Sequence, residues 1–344
     1  MPEIVEVNVD VTTAAGFDEK VYTHAIVTLP EPETLDPSPI ICFGFPGAGY
    51  SAGYFNFDMP GSLEGGQAGW HASRGWVFVG CDHLCAGASS SPSRPESMTF
   101  QQVVAANQAT VEQVTTLLRQ GISKDFPALA DAVRLGVGQS MGGAFLIAQQ
   151  GQYGSFDGIA VLGYSARHLE FPRAPGIRPT PKPYLPRWAP TFPVISVPMT
   201  DIDPSLGVRP DGLPEFTNDF HFDDEPTDIV AADMRGYPTR NGNVPHWGSG
   251  TIPPCGIAVM APGAVAHEAA LVNVPVFIGM GERDLCSQPL TEPLAYECAS
   301  DVTVFVCQGM AHMHNFAKTR KKLWARVESW GRGIGAAAAG VARQ

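Results

Sequence analysis

A short apolar run, Val133-Arg134-Leu135-Gly136-Val137, leads into Gly138-Gln139-Ser140-Met141-Gly142, and an amphipathic stretch from Gly143 to Ala148 follows. Gly-x-Ser-x-Gly between a strand and a helix predicts a turn so tight that its flanking positions tolerate almost no side chain. Such a turn pushes the Ser140 hydroxyl out at the carboxyl end of the strand. The amide of Met141 points the same way and can stabilise an oxyanion. An ordinary strand-to-helix turn that happens to contain serine reads the same, and glycine is common here at 37 residues, so support has to come from elsewhere.

Strands and helices alternate along much of the chain. Ile4 to Thr12 and Val21 to Leu29 read as an opening hairpin, turning at Ala15-Gly16-Phe17-Asp18. Ile40 to Phe45, Trp76 to Cys81, Gly158 to Leu162, Val274 to Met280 and Val302 to Val306 read as strands. Helices are expected around Gly69-Trp70-His71-Ala72, from Phe100 to Arg119 and from Ala317 to Trp330. The alternation predicts an α/β fold: a mostly parallel sheet covered by helices on both faces. The segment from 165 to 270 breaks the rhythm, for 17 of the 31 prolines lie between Phe171 and Pro254, beside Trp188, Trp247 and other aromatics. That much proline opposes regular core elements, and that much aromatic surface opposes a disordered linker. A lid inserted into a core of residues 1–164 and 271–344 satisfies both.

Two features downstream match the serine. The strand Pro275 to Met280 runs into Gly281-Glu282-Arg283-Asp284, and the strand Val302 to Val306 runs into Gln308-Gly309-Met310-Ala311-His312-Met313-His314. A carboxylate and a histidine just past parallel strands reach the same edge of the sheet as Ser140. A serine hydroxyl is a poor nucleophile until a base takes its proton as it attacks. Histidine titrates near neutrality and can return that proton to the leaving group, while a carboxylate fixes the imidazole tautomer.

With Ser, Asp and His in that order, the chain resembles the α/β-hydrolase superfamily, in its serine esterase and lipase-like branch with an inserted lid. The resemblance rests on Gly138-Gln139-Ser140-Met141-Gly142, Gly281-Glu282-Arg283-Asp284, Gly309-Met310-Ala311-His312 and the loop Phe45-Pro46-Gly47-Ala48-Gly49-Tyr50. It implies Ser140 as nucleophile, His312 as base and Asp284 as acid, with Glu282 and His314 as rivals. The glycine-rich loop looks like the His-Gly-Gly-Gly-aromatic loop of lipase-like enzymes, with Pro46 in place of the histidine. That register implies the amides of Gly47 and Ala48 beside that of Met141; aligning Phe43-Gly44 on a His-Gly pair would name Phe45 instead.

The expected activity is hydrolysis of a carboxylic ester or lactone of a neutral, partly apolar small molecule. Amidase, thioesterase, carbon–carbon hydrolase and acyltransferase activities share the same three residues, and a hydrolase-fold receptor or scaffold is the non-enzyme reading. Trp188, Trp247, His221 and His314 are candidates to line the pocket; Phe220-His221-Phe222-Asp223-Asp224 reads equally as a solvated acidic loop. Cys81-Asp82-His83-Leu84-Cys85 lacks zinc spacing, so no metal and no cofactor is expected. A net charge of −12 without a basic stripe disfavours nucleic acid and anionic membranes as partners. No apolar run approaches the roughly 20 residues of a membrane span, the first ten residues lack a secretory signal, and seven cysteines suit reduced thiols, so a cytoplasmic protein is expected. Association as a homodimer stays open.

Overall fold

The computed structural model describes residues 2–169 and 207–341. Eight strands form one sheet: β1 Glu3–Asp10, β2 Tyr22–Leu29, β3 Ile40–Phe45, β4 Val77–Cys81, β5 Val133–Gln139, β6 Gly158–Leu162, β7 Val276–Arg283 and β8 Val302–Ala311. Their order across the sheet is β1-β2-β4-β3-β5-β6-β7-β8. The hairpin β1–β2 is antiparallel, and β2 is antiparallel to β4. Every pair from β4 to β8 is parallel, as continuous apolar strands demand when both faces are covered.

The α-helices among the described residues are α1 Gly53–Asn56, α2 Gly66–Ala72, α3 Phe100–Gln120, α4 Met141–Tyr153, α5 Thr217–Phe220, α6 Thr227–Met234, α7 Ala266–Leu271 and α8 Arg320–Val341. A capping box starts α3: the Thr99 hydroxyl accepts from the Gln102 amide, and the Gln102 side chain reaches back to the Thr99 amide. Val103, Val104, Val111, Val114 and Leu118 of α3 are buried. Consecutive residues of β5 show that the helices lie on both faces. A side chain at Gly136 would strike Leu146 of α4, whereas the Leu135 side chain packs on Gly331 of α8.

The strands differ from expectation mainly in length. β8 runs on to Ala311, and β7 runs on to Arg283, paired to β8 with a register shift between Gly281 and Arg283. The expected lid falls in the connection between β6 and β7. Its residues 170–206, Trp188 among them, lie outside the described residues. The described remainder is made of short helices and turns, with a bridge from Gly248 to Tyr50 of the core. No helix among the described residues is long and apolar enough to cross a membrane.

Candidate active site

The turn after β5 is built as its five residues demand. Ser140 adopts φ 53° and ψ −122°, a strained conformation for a residue with a side chain. The glycines on either side make it possible. A Cβ at Gly138 would come within 2.5 Å of the Gly142 carbonyl oxygen, and a Cβ at Gly142 within 2.1 Å of the Phe45 carbonyl oxygen. The Ser140 amide donates to the carbonyl of Leu162, which ties the turn to β6.

Three strand ends then converge on one hydrogen-bonded chain. His312, directly after β8, lies with Nε2 2.9 Å from Ser140 Oγ and Nδ1 2.7 Å from Asp284 Oδ1. Asp284 is buried, and the Leu285 amide donates to its Oδ1 and the Gly281 amide to its Oδ2. Burial alone would raise the Asp284 pKa, but the His312 and His314 rings against its two oxygens hold it well below the usual carboxylate range. Burial also pulls the His312 pKa below its ordinary value, against the opposing pull of Asp284. An imidazole between a hydroxyl and a carboxylate, unprotonated at neutral pH, can take a proton from the hydroxyl and stabilise the charge it acquires. Glu282, the rival acid, instead accepts from the Gly309 amide at the exposed start of the histidine loop.

Three further positions complete this arrangement. Gly163, at the end of β6, lies beneath the His312 ring; a Cβ there would sit 3.0 Å from Nδ1 and 3.3 Å from Asp284 Oδ1, at a φ of +60°. Only glycine lets the imidazole cross the β6 strand end to reach Ser140. Gln139 donates through Nε2 to the His312 carbonyl at 3.0 Å, locking the base's backbone to the turn. Phe220, in the β6–β7 connection, places its ring 4.8 Å from the His312 ring. The carbonyls of Asp219 and Phe220 accept from the amides of His312 and Met313. In the sequence Gly163 shows only as a glycine just past a strand, Gln139 only as a variable position of the Gly-x-Ser-x-Gly turn, and Phe220 only as part of the 220–224 stretch that reads as pocket or loop.

The loop after β3 lies against Ser140: a Cβ at Gly47 would meet Ser140 Cβ at 3.1 Å. Phe45 itself belongs to β3, paired with Gly138. Four successive carbonyls of the loop are held. Pro46 O accepts from His83 Nε2, Gly47 O from the Tyr50 amide, Ala48 O from the Tyr237 hydroxyl at 2.6 Å, and Gly49 O from Arg240 Nη1 and the Ser249 amide. A trans peptide points its N–H opposite to its C=O. The bonds at Pro46 and Gly47 therefore fix the directions of the Gly47 and Ala48 amides, and neither amide donates to another described residue. His83, read as part of a loop, is thus a brace. Its neighbour Asp82 accepts from His24 and from the amides of Ala52 and Ala88.

The expected pocket residues are placed differently. His314 is buried with Nε2 2.8 Å from Asp284 Oδ2, behind the acid and not facing a ligand. His221 is buried between Glu225 Oε2 at 2.7 Å and Asp233 Oδ2 at 2.9 Å. Burial would lower its pKa, but the hydrogen bonds and charges of Asp233 and Glu225 push it up to about 9. Trp247 donates its indole N–H to Asp233 Oδ1 at 2.8 Å and packs on Phe57 and Phe316. These three side chains are internal fittings because each has an apolar body and a polar group that a buried carboxylate satisfies. Among the described residues, no group of three or more His, Cys, Asp or Glu side chains could hold a metal ion.

No protein-family model and no curated protein matches this sequence. Solved structures do match across almost the whole chain. A proline iminopeptidase from Mycobacterium smegmatis is 16% identical with a TM-score of 0.59, covering 97% of this chain and 100% of its own. An esterase from Exiguobacterium antarcticum is 14% identical with a TM-score of 0.58, covering 95% and 99%. A bromoperoxidase from Bacillus anthracis is 15% identical with a TM-score of 0.56, covering 96% and 100%. The chain has the α/β-hydrolase fold. In an α/β-hydrolase the carboxyl edge of the sheet is where ligands enter, and Ser140, Asp284 and His312 stand on that edge here.

Proposed function

We propose that this α/β-hydrolase-fold protein is a serine hydrolase that cleaves a carboxylic ester or lactone of a neutral, partly apolar small molecule. Ser140 attacks the acyl carbon while His312 takes its proton and Asp284 steadies the imidazolium. The amides of Met141, Gly47 and Ala48 receive the oxyanion. His312 then protonates the leaving alcohol, and water activated by the same imidazole releases the acid from the acyl-enzyme. The observation that carries this reading is the unbroken chain from Ser140 Oγ through both ring nitrogens of His312 to Asp284, at 2.9 and 2.7 Å. The ring of Phe220 beside His312 supports an apolar substrate group, and the esterases among the similar structures favour an ester. Residues 165–270 are proposed as the lid. Seven free thiols support a reducing, cytoplasmic setting.

The test is labelling and turnover. A fluorophosphonate should modify Ser140 in the wild-type protein and nothing in Ser140→Ala. Turnover of an activated ester should fall by several orders of magnitude in Ser140→Ala while thermal melting stays put, since one oxygen is removed. Wild-type-like turnover by pure Ser140→Ala would sink the proposal. Absence of labelling in a folded wild type would favour a receptor or scaffold. A panel of esters, lactones, thioesters and amides separates the hydrolytic alternatives.

A further inference from the structure

The Asp284 carboxylate carries more than its partner in the proposed mechanism requires. Its four donors are His312 Nδ1 and the Leu285 amide on Oδ1, and the Gly281 amide and His314 Nε2 on Oδ2. His314 is 1% exposed, and its other ring nitrogen, Nδ1, has no hydrogen-bond partner among the described residues. That asymmetry sets its proton. A charged imidazole would bury an unsatisfied N–H at Nδ1, a desolvation cost that is largest for a charged group. A neutral ring protonated at Nδ1 would turn a bare Nε2 toward a carboxylate. The neutral ring with its proton on Nε2 satisfies Asp284 and leaves only a lone pair idle.

We propose that His314 is a positioning residue for the base: as a neutral imidazole protonated at Nε2, it holds the second oxygen of Asp284 and draws off part of the charge that would otherwise stabilise protonated His312. The inference rests on the reading of His312 as general base. Its physical basis is that a hydrogen bond donated to a carboxylate disperses its charge. The remaining charge still orients His312 and supports a transient imidazolium, but does not hold a permanent one. Protonated His312 cannot accept the Ser140 proton, so this arrangement keeps the site competent in mildly acidic solution. Burial acts in the same direction. From the inserted segment, the protonated ring of His221 acts on His312 in the same direction, while Asp219, its carboxyl pushed up to about 6 by burial, meets His312 through its backbone carbonyl.

The decisive measurement is the acid limb of kcat/KM for a neutral ester in the wild type, His314→Phe, His314→Gln and Asp219→Asn. Phenylalanine fills the space without a donor, and glutamine restores one. We expect the limb to move up by about one pH unit in His314→Phe and to stay near the wild-type position in His314→Gln and Asp219→Asn. Melting curves check that each variant folds. An acid limb that does not move in folded His314→Phe overturns the inference. Nitrogen-15 NMR of the wild type gives an independent readout: at pH 7 His314 should show a protonated Nε2 and a bare Nδ1. A charged ring or the opposite tautomer also overturns it. If the wild type turns over no ester, the limb can be read from the pH dependence of fluorophosphonate labelling. If Ser140 does not label either, the hydrolase reading fails, while the NMR result still judges the state of His314.

Discussion

Ser140, Asp284 and His312 hang from the ends of buried parallel strands, whereas their neighbours from the β6–β7 connection hang from one another. In the core the backbone ladder does the positioning, and each functional side chain is aimed by the strand it follows. The described part of the connection has little ladder to use. It is organised around Asp233, whose carboxylate accepts from the Tyr50 hydroxyl, His221, Arg240 and Trp247. Arg240, fully buried, also reaches the carbonyls of Asp233, Pro238 and Gly49. Protonated His221 and Arg240 balance Asp233 and Glu225, so the buried cluster is close to neutral. A chain interrupted by prolines forgoes regular hydrogen bonding and becomes rigid here through paired charge and directed side-chain bonds. The two regions should therefore fail in different ways.

The sharpest contrast comes from removing the hub. Asp233→Ala would leave Arg240 and His221 buried without their counter-charge, and breaking a buried pair on one side costs about 3–5 kcal/mol. We expect a fall of that size in unfolding free energy, with limited proteolysis opening the β6–β7 connection first. Ser140→Ala, in the other region, should abolish turnover with no such loss. If Asp233→Ala melts like the wild type, the connection is held by packing and the comparison collapses.

How much of this was legible in the sequence follows the same division. The core residues were readable because each sits one turn past an apolar run, and parallel strands end on a common edge. Asp284 over Glu282 and His312 over His314 followed from the family spacing, and the structure brings the named pair to Ser140. The role of Gly163 was not readable: a glycine just past a strand, one among many, becomes essential only because His312, almost 150 residues later, must lie over it. In the connection, Phe-His-Phe-Asp-Asp at 220–224 suggested either a pocket or a solvated loop, and Phe220 does lie beside His312. Asp223 and Asp224 do face solvent, but His221 turns inward to Asp233, itself bound to Arg240. Such pairings have no local pattern, since they depend on how the chain returns. His221 and Trp247, which read as pocket lining, are instead partners of a buried acid.

The pH dependence of stability probes the cluster more gently. His221 has a folded-state pKa of about 9 against an ordinary value of 6.5, so the folded state binds the proton more tightly. The resulting stabilisation is complete below about pH 6.5, declines as pH rises toward 9, and is gone above it. A shift of that size corresponds to roughly 3 kcal/mol. Chemical denaturation from pH 6 to pH 10 should show this decline in the wild type and a flatter profile in His221→Gln, which keeps a donor but carries no titrating charge. A profile in His221→Gln as steep as the wild type would assign the decline to another group. Turnover at its acid limb, governed by His312 in the other region, should be unaffected by this substitution apart from a small shift, because His221 contributes its charge from a distance.

The smallest effect should arise where the two regions touch. Tyr237, in the connection, donates its hydroxyl to Ala48 O at 2.6 Å, in the loop that lies against Ser140. Its ring also packs against Phe216, Phe220 and Tyr50. Tyr237→Phe keeps that packing and removes one oxygen, so the loss of stability should be about 1 kcal/mol, the net contribution of a typical hydrogen bond. The Ala48 carbonyl fixes the peptide that follows it, and Arg240 and His83 still hold the loop at Gly49 and Pro46. The loop should loosen without moving away. Removing an oxyanion donor outright costs about a hundredfold or more in kcat; a loop that keeps its donors but wavers should lose a few-fold, with KM unchanged. The kcat and KM of the variant, measured beside its melting curve, decide the matter. An unchanged kcat with the expected stability loss would mean that the cap merely rests on the loop. A kcat loss as large as that of a deleted donor would mean that the Tyr237 bond alone holds the amides in place, and that the division between an autonomous core site and a separately organised connection is drawn too sharply.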